Sequence, residues 1–148
     1  MRSSNPVLTP EEVQVYIQDQ PEKNHLLDGT EFNPTQVMLS IELAISEFNM
    51  VPPYSGYNLD NFPNKAILLN GTLAKLYAGQ AALLARNTRS YSDGGLQIPI
   101  EERYQMYVDL SSRYQAEFQR AAQWYKINLN MEAGWGGVAS DYSNFPSW

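Results

Sequence analysis

The sequence predicts an all-α protein: a small helical bundle of about four helices, two of them long, with an extended N-terminal arm and C-terminal tail. Three observations lead there. Apolar residues recur at helical spacing over two stretches of about thirty residues each. Two start signals, Thr9-Pro10-Glu11-Glu12 and Asn33-Pro34-Thr35-Gln36, open shorter periodic stretches. Turn and proline clusters separate the stretches: Asp28-Gly29, Pro52-Pro53 and Asp93-Gly94-Gly95.

Residues 1–8 read as a flexible arm. The first helix then starts with Thr9 as N-cap, Pro10 at the first position and Glu12 closing a capping box. Val13, Tyr16 and Ile17 form its apolar stripe, and it ends before Pro21. A linker follows from Glu22 to Phe32. The second helix has Asn33 as N-cap, Pro34 in its first turn and Gln36 three residues on. Val37, Ile41, Ala44, Ile45 and Phe48 make its stripe. It stops before Pro52, because a proline disfavours helical backbone in the residue ahead of it. Val51 to Pro63 is a loop rich in Pro, Gly, Asn and Tyr.

The stretch from Asn64 to Ser90 is the one the others must cover. Ile67, Ala74, Tyr77, Ala78, Ala81, Leu84 and Ala85 mark one apolar face; Leu69, Leu73, Leu76 and Leu83 mark a second. A helix apolar on two sides belongs in the core. Gly71, Ala74, Ala78 and Gly79 are small, so a neighbour can pack close. Tyr91 to Pro99 is a break, read as a small hairpin or a protruding loop. Ile100 to Asn130 is the last long helix, with Glu101 and Glu102 in a first turn that favours acids. Tyr104, Tyr107, Val108, Tyr114, Phe118, Ala121, Ala122, Tyr125 and Leu129 trace its buried face. Leu110, Trp124 and Ile127 lie off that stripe and are free to face a partner. The expected organisation is therefore one bundle domain over residues 9–130, an arm over 1–8, and a glycine- and aromatic-rich tail over 131–148.

The 148 residues are enough for one core, and the chain has no cysteine. Disulfides and thiolate metal sites are excluded, which fits a protein made in cytosol. No run of about 18 apolar residues predicts a membrane span. The net charge is −6, unevenly placed: residues 1–62 carry 9 acids and 2 bases, residues 63–130 carry 5 acids and 8 bases, and the last 18 carry 2 acids and no base. Such asymmetry is compatible with an acidic part of one copy meeting a basic part of another; solvated faces are the more ordinary account of it. An acidic chain is a poor candidate for gripping DNA phosphates.

Catalytic chemistry is thin. The single histidine, His25, stands in a linker without a titratable neighbour. The pairs Glu11/Glu12 and Glu101/Glu102 fit helix starts. Gly134-Trp135-Gly136-Gly137 has no following lysine and is no phosphate loop. No metal-ligand spacing occurs, and no cofactor is expected. Ten tyrosines and three tryptophans point instead to interfaces, with an ordinary aromatic core taking a share. In the tail, aromatic anchors spaced by glycine and serine are what an interface peptide needs, although the same segment has the means to fold back on its own bundle.

Three segments carry a resemblance: the opening LTPEEVQVYI, the run Tyr91-Ser92-Asp93-Gly94-Gly95-Leu96 ahead of Ile100-Glu101-Glu102-Arg103-Tyr104, and the closing GWGGVASDY. With these, residues 8–142 resemble the head-to-tail adaptor (neck or connector) proteins of tailed bacteriophages. The resemblance implies a non-enzymatic virion protein, made in the host cytoplasm and placed at the head-tail junction. It implies a homo-oligomeric ring, commonly a dodecamer, bound to the portal protein. The ring presents a surface to the next neck, stopper or tail protein. Genomic DNA passes through without sequence-specific binding, and no membrane is involved. By position, Trp135, Gly136, Gly137, Val138, Tyr142, Phe145 and Trp148 would reach the portal, and Tyr91, Asp93, Leu96 and Ile98 form a second candidate contact. The alternatives are a tail-completion, stopper or head-decoration protein, or, from another class, a small helical enzyme or a lytic regulator.

Overall fold

The computed structural model describes residues 5–24, 29–88 and 97–142. Among them the chain forms four helices: α1 (Pro10–Tyr16), α2 (Pro34–Met50), α3 (Lys65–Thr88) and α4 (Gln97–Tyr142). The all-α bundle read from the sequence is the observed architecture. Helix α3 lies at its centre, packed against both α2 and α4, with α1 against α2.

Both N-caps act as read. Thr9 caps α1 by accepting from the Glu12 backbone N–H, and its hydroxyl donates to the Glu12 carboxylate. Asn33 and Gln36 exchange both bonds of a capping box at the start of α2. All five stripe residues of α2 (Val37, Ile41, Ala44, Ile45 and Phe48) are buried. Asn64 caps α3 by accepting from Ile67 N–H at 3.1 Å.

The core is thickest where α3 is sandwiched. Positions 71 to 74 are buried all round the helix. Gly71 is the point of closest approach: a Cβ built there would lie 2.8 Å from the Phe118 ring on α4 and 2.9 Å from Ala44 Cβ on α2. Thr72, the third residue of an Asn-Gly-Thr sequon, is fully buried and donates its hydroxyl to Leu68 C=O. The other small residue singled out, Gly79, has nothing within 4 Å of its would-be Cβ.

Helix boundaries differ from expectation at α4. It starts at Gln97, three residues early, because Pro99 is tolerated in a first turn where its N–H has no helical acceptor. It also does not stop at Asn130. The segment 131–142, expected to be extended, continues the helix to Tyr142. Adding residues to an existing helix avoids a new nucleus, and Met131, Glu132, Ala133 and Ala139 favour it, which offsets about 1 kcal/mol for each glycine. Several residues assigned to the buried faces are exposed: Tyr16, Ala78, Leu83, Ala85, Tyr104 and Leu129. The arm is anchored where it enters α1: Val7 N–H donates to Leu59 C=O at 2.9 Å, and Leu8 is buried.

Three tyrosines fasten the α3–α4 seam. Tyr77 stacks between Tyr107 and Tyr114, each with centroids 5.8 Å away, and Phe32 meets its edge at 6.1 Å. The Tyr107 hydroxyl donates to the Glu31 carboxylate, and Tyr16 approaches Tyr114. Burial first, then neighbouring negative charge, pushes Tyr77 up to about 12; burial and the Glu31 bond push Tyr107 up to about 12. The fold favours the protonated phenols, so their contribution is complete below pH 10 and is lost between pH 10 and about 12. Thermal melts should therefore drop steeply across that window. Tyr77→Phe, which keeps the ring and removes one ionising group, should flatten the drop by about 2 kcal/mol; an unchanged profile would remove Tyr77 from the alkaline transition.

Candidate interaction surface

Helix α4 leaves the bundle after Lys126. Every residue from 127 to 133 is exposed, so no described element covers this turn of helix on any side. The remaining 16 positions to Tyr142 extend it by about 24 Å. A helix projecting alone is stable when it is polar; this one is not. Trp124 is 67% exposed, and Ile127 and Met131 are half exposed. The three fall at spacings of three and four, hence on one face. In helical register, positions 135, 138 and 142 continue that line.

The apolar face does not end at α4. Met50, 68% exposed at the end of α2, shares a shallow depression with Ile127, Gln123 and Pro52. An adjoining depression is lined by Arg120, Ala121, Trp124 and Ile127. The other way along α2, Leu43 and Leu39 are exposed and enter a groove between α2 and α3. Scattered exposed apolar residues need no explanation, but a run following two helix faces is a candidate partner surface.

Polar anchors hold this surface in shape. Glu47 on α2 pairs with Lys75 on α3 at 2.5 Å and accepts from Gln115 on α4, so one carboxylate ties three helices. Its Oε2 has no hydrogen-bond geometry to any described group, so Lys75 holds that oxygen as an ion pair. Burial raises the Glu47 pKa, but Lys75 and the bond from Gln115 together outweigh it, and the net shift is downward. Lys126, fully buried, donates to Pro53 C=O at 2.8 Å and to Ser55 Oγ, and sits 4.8 Å from the Phe48 ring centroid. It clamps the 51–63 loop beside Met50. The same loop is tied inward by Asn49, which donates to Tyr57 C=O and accepts from Tyr57 N–H and Ser55 Oγ. Asp19 does similar work at the other end, accepting from Asn24, Glu31 N–H and Phe32 N–H.

The residues singled out from the sequence fall in three groups. Trp135, Gly136, Gly137, Val138 and Tyr142 lie on α4 rather than in an extended tail, and their side chains are outside the described residues. Ile98 lies in the first turn of α4, helical rather than in a loop, 37 positions from Trp135 and so about 55 Å away along the axis. The tail and loop candidates therefore stand at opposite ends of one helix. Tyr91, Asp93, Leu96, Phe145 and Trp148 lie outside the described residues. Trp124 and Ile127, read as free to face a partner, are exposed. Leu39, Leu43 and Met50 were not singled out, although their spacing of four and seven marks a second stripe on α2.

Among the described residues no three His, Asp or Glu side chains are placed to hold a metal ion, and no helix is long and apolar enough to cross a membrane. No family model, curated protein or solved structure matches the chain.

Proposed function

We propose that the chain is a structural assembly protein, a ring-forming head-to-tail adaptor that joins a phage portal to the next neck or tail protein. One observation carries the reading: α4 leaves the bundle with Trp124, Ile127 and Met131 on one exposed face. Such a face is stable only against a partner, and a rigid bundle presenting a projecting helix is a connector's geometry. The phage setting rests on the resemblance of residues 8–142. In this reading the α4 face, with positions 135 and 138, meets the portal, and the ring encloses DNA without gripping it.

Electron microscopy of intact particles with a gold-labelled antibody to this chain tests the setting. Label is expected at the single vertex joining head and tail. Label over the whole capsid would instead establish a decoration protein, and no label on any particle would end the virion reading. At residue level, Trp124→Ala should weaken partner binding by about 2 kcal/mol, the hot-spot scale for a desolvated tryptophan, with little change in the melting temperature. Unchanged affinity by calorimetry would take Trp124 out of the interface.

A further inference from the structure

The groove between α2 and α3 is a second apolar surface, distinct from the exposed face of α4. Its apolar lining is Leu39 and Leu43 from α2 with Leu76 and Leu83 from α3, and Gly79 leaves the floor open. Lys75 and Arg86 stand on its rim, and no acidic residue lines it. Lys75 is paired with Glu47, whereas Arg86 makes no ion pair among the described residues. Gln36 and Gln80 flank the groove, with amides suited to the backbone polar groups of an extended chain.

We infer that this groove receives the C-terminal segment, residues 141–148, of another copy of the chain. The inference deepens the ring reading by naming its subunit contact. Three arguments support it. First, residues 141–148 hold one acid, Asp141, and no base, complementary to a rim whose Arg86 has no ion-pair partner among the described residues. Second, Phe145 and Trp148 are three residues apart around Pro146. An extended, polyproline-like strand sets such residues about 9 Å apart on one side. The groove between Leu76 and Leu83, seven helical positions, is about 10 Å long.

Third, the segment cannot reach the groove of its own chain. Ser111 on α4 bonds Ala74 C=O at 3.0 Å, and Tyr107 stacks on Tyr77, so the groove lies toward the start of α4. Tyr142 is 31 positions past Ser111, about 46 Å in the opposite direction. The six residues after it span at most about 20 Å. Contact is therefore between copies, with different patches on the two sides. Such a head-to-tail interface closes into a ring when the rotation allows.

The test titrates a fluorescent peptide of residues 141–148 into the full-length chain and reads anisotropy. Saturable binding is expected, weakening as salt is raised. Leu43→Glu, at an exposed position where folding tolerates a charge, should weaken it at least tenfold, as should Gly79→Phe, which fills the floor. Circular dichroism melts confirm that both variants fold. A flat titration up to about 1 mM peptide, or the same curve on wild type and both variants, overturns the assignment. Particle labelling is untouched by either result, so failure here and failure of the adaptor reading are distinguishable.

Discussion

Gly71→Leu is expected to cost about 3 kcal/mol or more, enough to leave a bundle of ordinary stability marginal or unfolded. The reason is geometric. Even a Cβ at this position would sit 2.8 Å from two atoms of the Phe118 ring and 2.9 Å from Ala44 Cβ, and Leu adds three further carbons. Phe118 is fully buried and cannot swing away, and Ala44 has nothing to retract. The helices α2 and α4 would have to separate, which opens the Glu47–Lys75–Gln115 tie as well. Urea denaturation followed at 222 nm gives the value. Gly79→Ala supplies the contrast: its Cβ meets nothing, so the substitution should stabilise by about 0.5–1 kcal/mol through helix propensity alone. Equal effects at the two glycines would mean that α3 is not the sandwiched helix.

These two glycines also show what the sequence discloses. Both stand among alanines and leucines, and periodicity marks both as small positions on a packed helix. Which one is crossed by a neighbour depends on where α2 and α4 lie, and that is long-range information. The same division runs through the fold. Helix α2 was legible to its capping box and every core residue, because cap, stripe and stop all lie within its seventeen residues or one or two positions beyond them. The ends of α4 were not, since glycines at 134, 136 and 137 read locally as breaks. Lys126 sits between Tyr125 and Ile127, where a lysine reads as surface. Its burial is made by Pro53, Ser55 and Tyr57, some seventy positions earlier. Asp19 is a hub for the same kind of reason, gathering N–H groups 12 and 13 residues further on. On the interaction surface, Trp124 and Ile127 were legible as the residues left over from a core stripe. The α2 side was not, because Leu39, Leu43 and Met50 read as part of a helix already supplied with a core face.

Lys126→Ala is the second large effect, about 3 kcal/mol of destabilisation. It removes two hydrogen bonds to the 51–63 loop and the cation over Phe48, and leaves Pro53 C=O and Ser55 Oγ facing a void. Lys126→Met keeps the packed stem and lifts the cost of burying a charge, so it should lose only about 1–2 kcal/mol. The order of the two, read by urea melts at pH 7, separates packing from bonding; equal losses would mean that the ammonium contributes all of it. The pH dependence has a fixed sign. Burial lowers the Lys126 pKa below 10.5, so the fold favours the neutral amine, which still donates to Pro53 and Ser55. As pH rises through the lowered pKa toward 10.5, the wild type sheds its desolvation penalty and its margin over Lys126→Met widens. The tyrosine transition is common to both proteins and cancels in that difference. A margin that narrows in this window would show that Lys126 is stabilised as a cation by the Phe48 and Tyr57 rings. Loosening the loop should also be felt outside the core. Pro53 and Ser55 follow directly on Met50, Val51 and Pro52, so Lys126→Ala should blur the depression shared by Met50 and Ile127 and weaken partner binding from a position that touches no partner.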